Sequence, residues 1–197
     1  MDYYATATDI YGNNWDITTV ATITTTGGGS FISQHKFVGT ATGTYIIQVA
    51  YEDQIATTTV VINYATPTAL SISPSGVVII AGDSVDYHAT ATDQYGNNWA
   101  VTDAAMFTTT GGGSFISQHR FVGTVTGTHT IWAIYGGQTA TTTVTINHAT
   151  PIALSIIPLD AVIIAGEKID YHATATDIYG NKWDATDAAS FTTTGGG

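Results

Sequence analysis

One fourteen-residue stretch occurs three times in this chain, and its spacing fixes most of what the chain can fold into. Asp2 to Trp15, Asp86 to Trp99 and Asp170 to Trp183 share the pattern Asp-Tyr-x-Ala-Thr-Ala-Thr-Asp-x-Tyr-Gly-Asn-x-Trp, and successive copies begin 84 residues apart. The likeness extends further. Thr24–Thr44 and Thr108–Thr128 differ only at Lys36/Arg120 and Ala41/Val125, and Pro67 and Pro151 each follow an Ala-Thr pair. A period of this length asks what one folded unit is and why several are strung together. The boundaries that follow are a partial repeat over 1–66 that lacks its first strands, a complete one over 67–150, and a partial one over 151–197 that lacks its last strands. The chain ends are therefore expected to be cropped, leaving a window on a longer array.

The complete repeat reads as strands. Ala69–Ile72 alternates apolar and polar residues before Pro74, Val77–Ile80 is a short apolar run between glycines, and Ser84–Thr92 alternates again over nine residues. Asp93–Asn98 is a turn, because Asp bonds backbone N–H groups two residues on and Gly and Asn accept positive φ. Trp99 restarts a strand, with its ring expected in the core. Further strands are expected over Ala105–Thr108, Phe115–Val122, Gly127–Tyr135 and Gln138–Asn147, with Thr110–Ser114 as a loop and Gly136-Gly137 closing a tight hairpin. Thr supplies about a fifth of the residues, and its branched side chain suits a pleated, half-buried surface. No window carries a sustained helical period. Many short strands with turn signals every ~8–12 residues point to an all-β fold of tandem immunoglobulin-like β-sandwiches. The linker His148-Ala149-Thr150-Pro151 is short and stiffened by proline.

Charge narrows the partners. Fifteen acidic residues against four basic ones give a net charge of −11, which argues against nucleic acid and anionic membrane surfaces. No signal peptide or membrane-inserting segment is visible in this region. Cysteine is absent, so no disulfide staples the repeats.

The motifs Ala81-Gly82-Asp83, Ala91-Thr92-Asp93, Gly96-Asn97 and the hairpin Tyr135–Ile146 resemble the bacterial immunoglobulin-like (Big) domains, closest to the group in invasin- and intimin-type adhesins. The resemblance runs through all three copies. It implies an extracellular stalk, spacer, surface-layer module or adhesin arm. Tyr95, Trp99 and the near-identity of neighbouring copies are features of this chain rather than of that family.

Each candidate chemistry has a plainer counterpart. His35 and His119 recur with Ser33 and Ser117 two residues before, but no acid lies nearby in sequence to orient the imidazole and no nucleophile elbow is present. His88 and His172 give way to Tyr4, so no enzyme is expected. Hard oxygens collect near one turn: Asp93, Asn97 and Asp103; Asp9, Asn13 and Asp16; Asp177, Asn181 and Asp184 or Asp187. They are candidate Ca²⁺ ligands, although the spacing is not that of an EF-hand and Asp93 capping its own turn explains it as well. No other cofactor is expected. Gly111, Gly112 and Gly113 lack the Gly-Lys-Ser/Thr of a phosphate loop. With Tyr95, Phe115 and His119 they form a repeated face that suits contact with copies of the same chain, as a homopolymer or by lateral packing. Lys168 and Lys182 have no counterparts in the other copies, which removes a basis for Lys–Asn crosslinks. No Asn-x-Ser/Thr acceptor occurs, while the threonines leave O-glycosylation open.

The leading expectation is a cell-surface filament, sheath or surface layer built from these repeats. The alternatives are a rigid adhesin stalk presenting a distal binding domain, and a carbohydrate-binding module of a larger surface protein, for which Tyr95, Trp99 and Trp132 would line an open face.

Overall fold

The computed structural model describes residues 1–195. Gly196 and Gly197, which close the third Thr-Thr-Thr-Gly-Gly-Gly run and the expected 151–197 repeat, lie outside the described residues. In chain order the strands are β1 Thr6–Thr8, β2 Asn14–Asp16, β3 Thr22–Thr25, β4 Gly29–Phe31, β5 Phe37–Gly39, β6 Gly43–Tyr51 and β7 Gln54–Ile62. There follow β8 Pro67–Ser73, β9 Val77–Ile80, β10 Ser84–Asp86, β11 His88–Asp93, β12 Asn98–Ala100, β13 Met106–Thr109, β14 Gly113–Phe115, β15 Arg120–Gly123, β16 Gly127–Tyr135 and β17 Gln138–Asn147. The last strands are β18 Pro151–Ile157, β19 His172–Asp177 and β20 Lys182–Asp184. A single 3₁₀ turn, Thr186–Ala188, is the one helical element among the described residues, and the protein is all-β.

Contacts divide the chain into two compact units, Met1–Ala69 with Ala91–Trp99, and Leu70–Thr90 with the chain from Ala100 on. The division runs through β8, β11 and β12. The first unit thus takes in the Asp93–Trp99 turn of the second sequence copy.

Within the second unit, two sheets face each other. One has the order β10-β15-β14 and the other β13-β16-β17-β9. β16 and β17 form a long hairpin from Gly127↔Ile146 to Tyr135↔Gln138, and β17 pairs in parallel with β9. In immunoglobulin lettering β10, β15 and β14 take the places of B, E and D, and β13, β16 and β17 those of C, F and G. The fold is an immunoglobulin-like sandwich. Its core follows from strand alternation: Ile131, Ala133, Val144 and Ile146 point inward from β16 and β17 and are buried. They meet Phe107 of β13, Phe121 of β15 and Tyr87, with Phe115 wedged 5.9 Å from Phe107 and 5.5 Å from Phe121 between ring centroids. In the first unit the sheet β3-β6-β7 and the hairpin β4-β5 repeat these pairings, and β1-β2 repeats the pairing of β11 with β12 in the sheet β12-β11-β8.

Four sequence expectations are corrected. Phe115–Val122 is not one strand: Ile116–His119 is a tight turn, closed by the Ile116 N–H donating to the Arg120 carbonyl at 2.9 Å and the Arg120 N–H donating to Ser117 Oγ at 3.2 Å. Cross-strand pairing sets Phe115, half-buried, against the fully buried Phe121, which one extended strand does not permit. Ser117 and His119 therefore share no strand face, and the supposed Thr110–Ser114 loop contributes Gly113 and Ser114 to β14. Ser84–Thr92 is likewise broken at Tyr87 into β10 and β11. Trp99 is not in the core, because Phe107 of β13 takes the strand-C position and the Trp99 ring stays half-exposed on β12.

Candidate functional site

The repeated turn is where the structure does something the strands alone do not require. In the second copy, Asp93 sits at the end of β11 and is 3% exposed. Its Oδ1 accepts the N–H groups of Tyr95 at 2.9 Å and Asn97 at 3.0 Å, which is what an Asp opening a Gly-containing turn does. The Asn97 side-chain amide donates to Oδ2 at 2.9 Å. The remaining acceptor position of Oδ2 takes the N–H of Ala65, in the linker before β8, at 3.1 Å.

Asn97 reaches in the other direction. Its Nδ2 donates to the Thr40 carbonyl at 2.8 Å, and its Oδ1 accepts the Thr42 N–H at 3.1 Å. Thr40 and Thr42 belong to the loop between β5 and β6 of the first copy. One Asp–Asn pair therefore grips the linker with the Asp and the preceding copy with the Asn. Beside it, the Trp99 ring stacks on Tyr64 of the same linker, with centroids 4.4 Å apart and planes 23° from parallel. All of these residues lie in the first compact unit.

The same arrangement recurs 84 residues on, wholly within the second unit. Asp177, 1% exposed, accepts the N–H groups of Tyr179, Asn181 and the linker Ala149, each at 2.9 Å. Asn181 donates to Asp177 Oδ2 at 2.8 Å and to the Thr124 carbonyl at 2.9 Å, and accepts the Thr126 N–H at 3.0 Å. Trp183 stacks on His148 at 3.7 Å and 4°. The Tyr179 hydroxyl end lies where a side chain on Gly82 would stand, and the positive φ of Gly82 (103°) also favours glycine there.

Electrostatics fit a buried carboxylate that stays ionised. Burial pushes the Asp93 carboxyl upward, but the Asn97 side-chain amide and the N–H groups of Ala65, Asn97 and Tyr95 outweigh it and hold it below its ordinary value. Asp177 is lowered in the same way, against burial, by Asn181, Ala149 and Tyr179. In the first copy Asp9 makes the same turn, accepting from Tyr11 and Asn13 N–H at 2.9 Å each and from Asn13 Nδ2 at 2.8 Å, but Asn13 is exposed and holds nothing else.

The structure thus brings Asp93 together with Asn97, and Asp9 with Asn13, but as clasps whose lone pairs already face N–H donors. Asp16 accepts the Thr18 N–H at 2.8 Å. Asp103 is exposed and stands 4.0 Å from His119 Nδ1. Among the described residues no three His, Cys, Asp or Glu side chains gather as metal ligands. Tyr95 is 51% exposed. Gly111 and Gly112 form the turn before β14, with Gly112 packed under the His129 ring where no side chain fits, and Gly113 pairs with Gly123. Phe115, half-buried, packs its ring against Phe107 and Phe121. His119 accepts the Tyr87 N–H through its carbonyl at 2.9 Å and lines a shallow groove with His88. A cavity of about 420 Å³ in the first unit, lined by Ala5, Ile17, Ile47 and Val49, is the inner face of that copy's strands.

The linker partners were missed from sequence. Their signals were present: a planar side chain at both Tyr64 and His148, and the matched runs Gly39–Gly43 and Gly123–Gly127.

No family model matches the chain, and no curated protein matches it. Among solved structures, domains 4–9 of the surface layer protein SbsC match at 21% identity over 92% of this chain and 32% of that one, with a TM-score of 0.32. The N-terminal eight immunoglobulin domains of Down Syndrome Cell Adhesion Molecule match at 10% identity over 89% of this chain and 28% of that one, with a TM-score of 0.36. An I-band fragment of titin matches at 9% identity over 93% and 91%, with a TM-score of 0.33. The chain spans about a third of the surface-layer structure it matches. Scores this low carry no argument, and the fold assignment rests on the strand pairings. Among the described residues no helix is long and apolar enough to cross a membrane.

Proposed function

We propose that this chain is a structural segment of an extracellular, cell-surface protein, a non-enzymatic array of Big-type immunoglobulin-like repeats built into a filament, sheath or surface layer. The observation that carries the reading is the recurrence of the Asp–Asn clasp with its tryptophan stack at both junctions. The Asp-to-linker bonds measure 3.1 and 2.9 Å, the Asn-to-carbonyl bonds 2.8 and 2.9 Å, and the Asn-accepted bonds 3.1 and 3.0 Å. A flexible string of independent domains needs no buried carboxylate holding its linker. A protein that bears load or holds a lattice spacing does, because each junction must keep one geometry. The adhesin-stalk alternative uses the same junctions and differs only in what lies beyond this segment. The carbohydrate-module alternative loses support, since Trp99 is stacked on the linker and the position equivalent to Trp132 in the first copy is Gln48.

The test is immunogold labelling of intact source cells with antibodies raised against this chain, combined with negative-stain imaging of the labelled material. Surface label on regular sheets or fibres is expected. Label confined to permeabilised cells overturns the reading.

A further inference from the structure

The charges of this chain are unevenly placed. It carries 15 acidic and 4 basic residues, yet none lies on β9, β13, β16 or β17, nor on β3, β6 or β7. These seven strands make the two equivalent sheets, one in each unit. Alternation sends Ile131, Ala133, Val144 and Ile146 into the core, so the outward positions are Trp132, Ile134, Thr141, Thr143 and Thr145. On the flanking strands, Val78 is 63% exposed and Met106 56%. In the first unit Ile46, Ile55 and Val61 are exposed on the matching face, with Thr57 and Thr59 in the places of Thr141 and Thr143. The facing sheet of the sandwich, by contrast, bears Asp86 and Arg120.

We infer that this uncharged threonine and aliphatic sheet face docks against the same face of a second copy of the chain. The inference rests on the structural-array reading and names the surface it uses. Two molecules with a net charge of −11 repel, and like charges brought together at an interface are costly. A self-complementary contact is open to them only where neither presents charge. A glycan platform is disfavoured because the single aromatic of the face, Trp132, is Gln48 in the first copy, whereas the threonines and the absence of charge are common to both. The 27 residues of β9, β13, β16 and β17, at about 4.8 Å between strands and about 3.3 Å per residue, give a footprint of roughly 400 Å². That is below the roughly 800 Å² per partner of a specific pair, so one face binds weakly and several engaged together bind well.

Sedimentation of the full chain over a wide concentration range tests this. The wild-type mass is expected to rise with concentration above the 20.6 kDa of one chain. The double variant Thr57→Glu/Thr141→Glu, altered only at exposed positions and checked by an unchanged melting curve, is expected to stay at the single-chain mass. Mixing it with Thr57→Lys/Thr141→Lys is expected to restore association, and Ser114→Glu on β14 to leave it intact. A wild type that never exceeds one chain, or a Glu variant that associates equally, overturns the inference. So does a monomeric wild type that pellets with insoluble polysaccharide through this face. A monomeric wild type with surface labelling of cells removes the docking face alone and leaves the structural reading as a stalk.

Discussion

Replacing Asn97 by alanine separates the clasp from the turn that carries it. The substitution removes two bonds to the preceding copy, the one donated to the Thr40 carbonyl and the one accepted from the Thr42 N–H, together with the support of Asp93. Neutral hydrogen bonds contribute a net ~0.5–1.5 kcal/mol each, so the two cross-copy bonds account for about 1–3 kcal/mol. For a chain of this size each kcal/mol shifts Tm by roughly 2–4 °C, which places the expected fall at about 2–12 °C. Asn13→Ala is the matched control. It occupies the same turn and bonds Asp9 at 2.8 Å, but no residue of another copy. Calorimetry of both variants isolates the cross-copy contribution, with Asn97→Ala expected to broaden or split the transition as the copies uncouple. Equal losses for Asn13→Ala and Asn97→Ala would refute the reasoning, because the asparagine would then matter only within its own turn.

Acid should loosen the junctions. The carboxyls of Asp93 and Asp177 are held below their ordinary value of 3.8, so the stability they add is complete above that value and is lost as pH falls below it; a melt series from pH 7 downward is expected to be flat to about pH 4 and then to decline. Tyr87→Phe is expected to stabilise by about 1 kcal/mol in urea denaturation, since the ring is fully buried and its hydroxyl has no partner among the described residues. Calcium is expected to add no stability at the Asp93–Asn97 and Asp9–Asn13 turns, because the Asp oxygens there already accept N–H groups; a Tm that rises with Ca²⁺ and falls with EDTA would support the metal reading.

The strands were legible because they are local. Gln138–Asn147 and Gly127–Tyr135 were read to the residue, since Gly-Gly closes the hairpin and the β-branched run does the rest. The broken strand at Ile116–His119 was not legible, because a run of Phe, Ile, Phe and Val reads as continuous until Phe115 is seen to pair with Phe121. The site was half legible. Asp93 and Asn97 announce a turn by their spacing, and the turn is there. Their further bonds go to residues 28 and 57 positions away, a separation at which local pattern is silent. Trp99 misled for the same reason: an aromatic beside a strand reads as core unless the linker tyrosine that covers it is known.

Hydrogen exchange at the amides of Ala65 and Ala149 tests the clasp most directly. Both lie in linkers outside any strand, where a free tether exchanges at once, yet both donate to buried carboxylates at 3.1 and 2.9 Å. Protection of both amides comparable to that of neighbouring strand residues, lost at Ala65 in Asn97→Ala and at Ala149 in Asn181→Ala, is the expected result. Exchange of either linker amide as fast as the exposed hairpin tip at Gly136 would contradict a clasped junction.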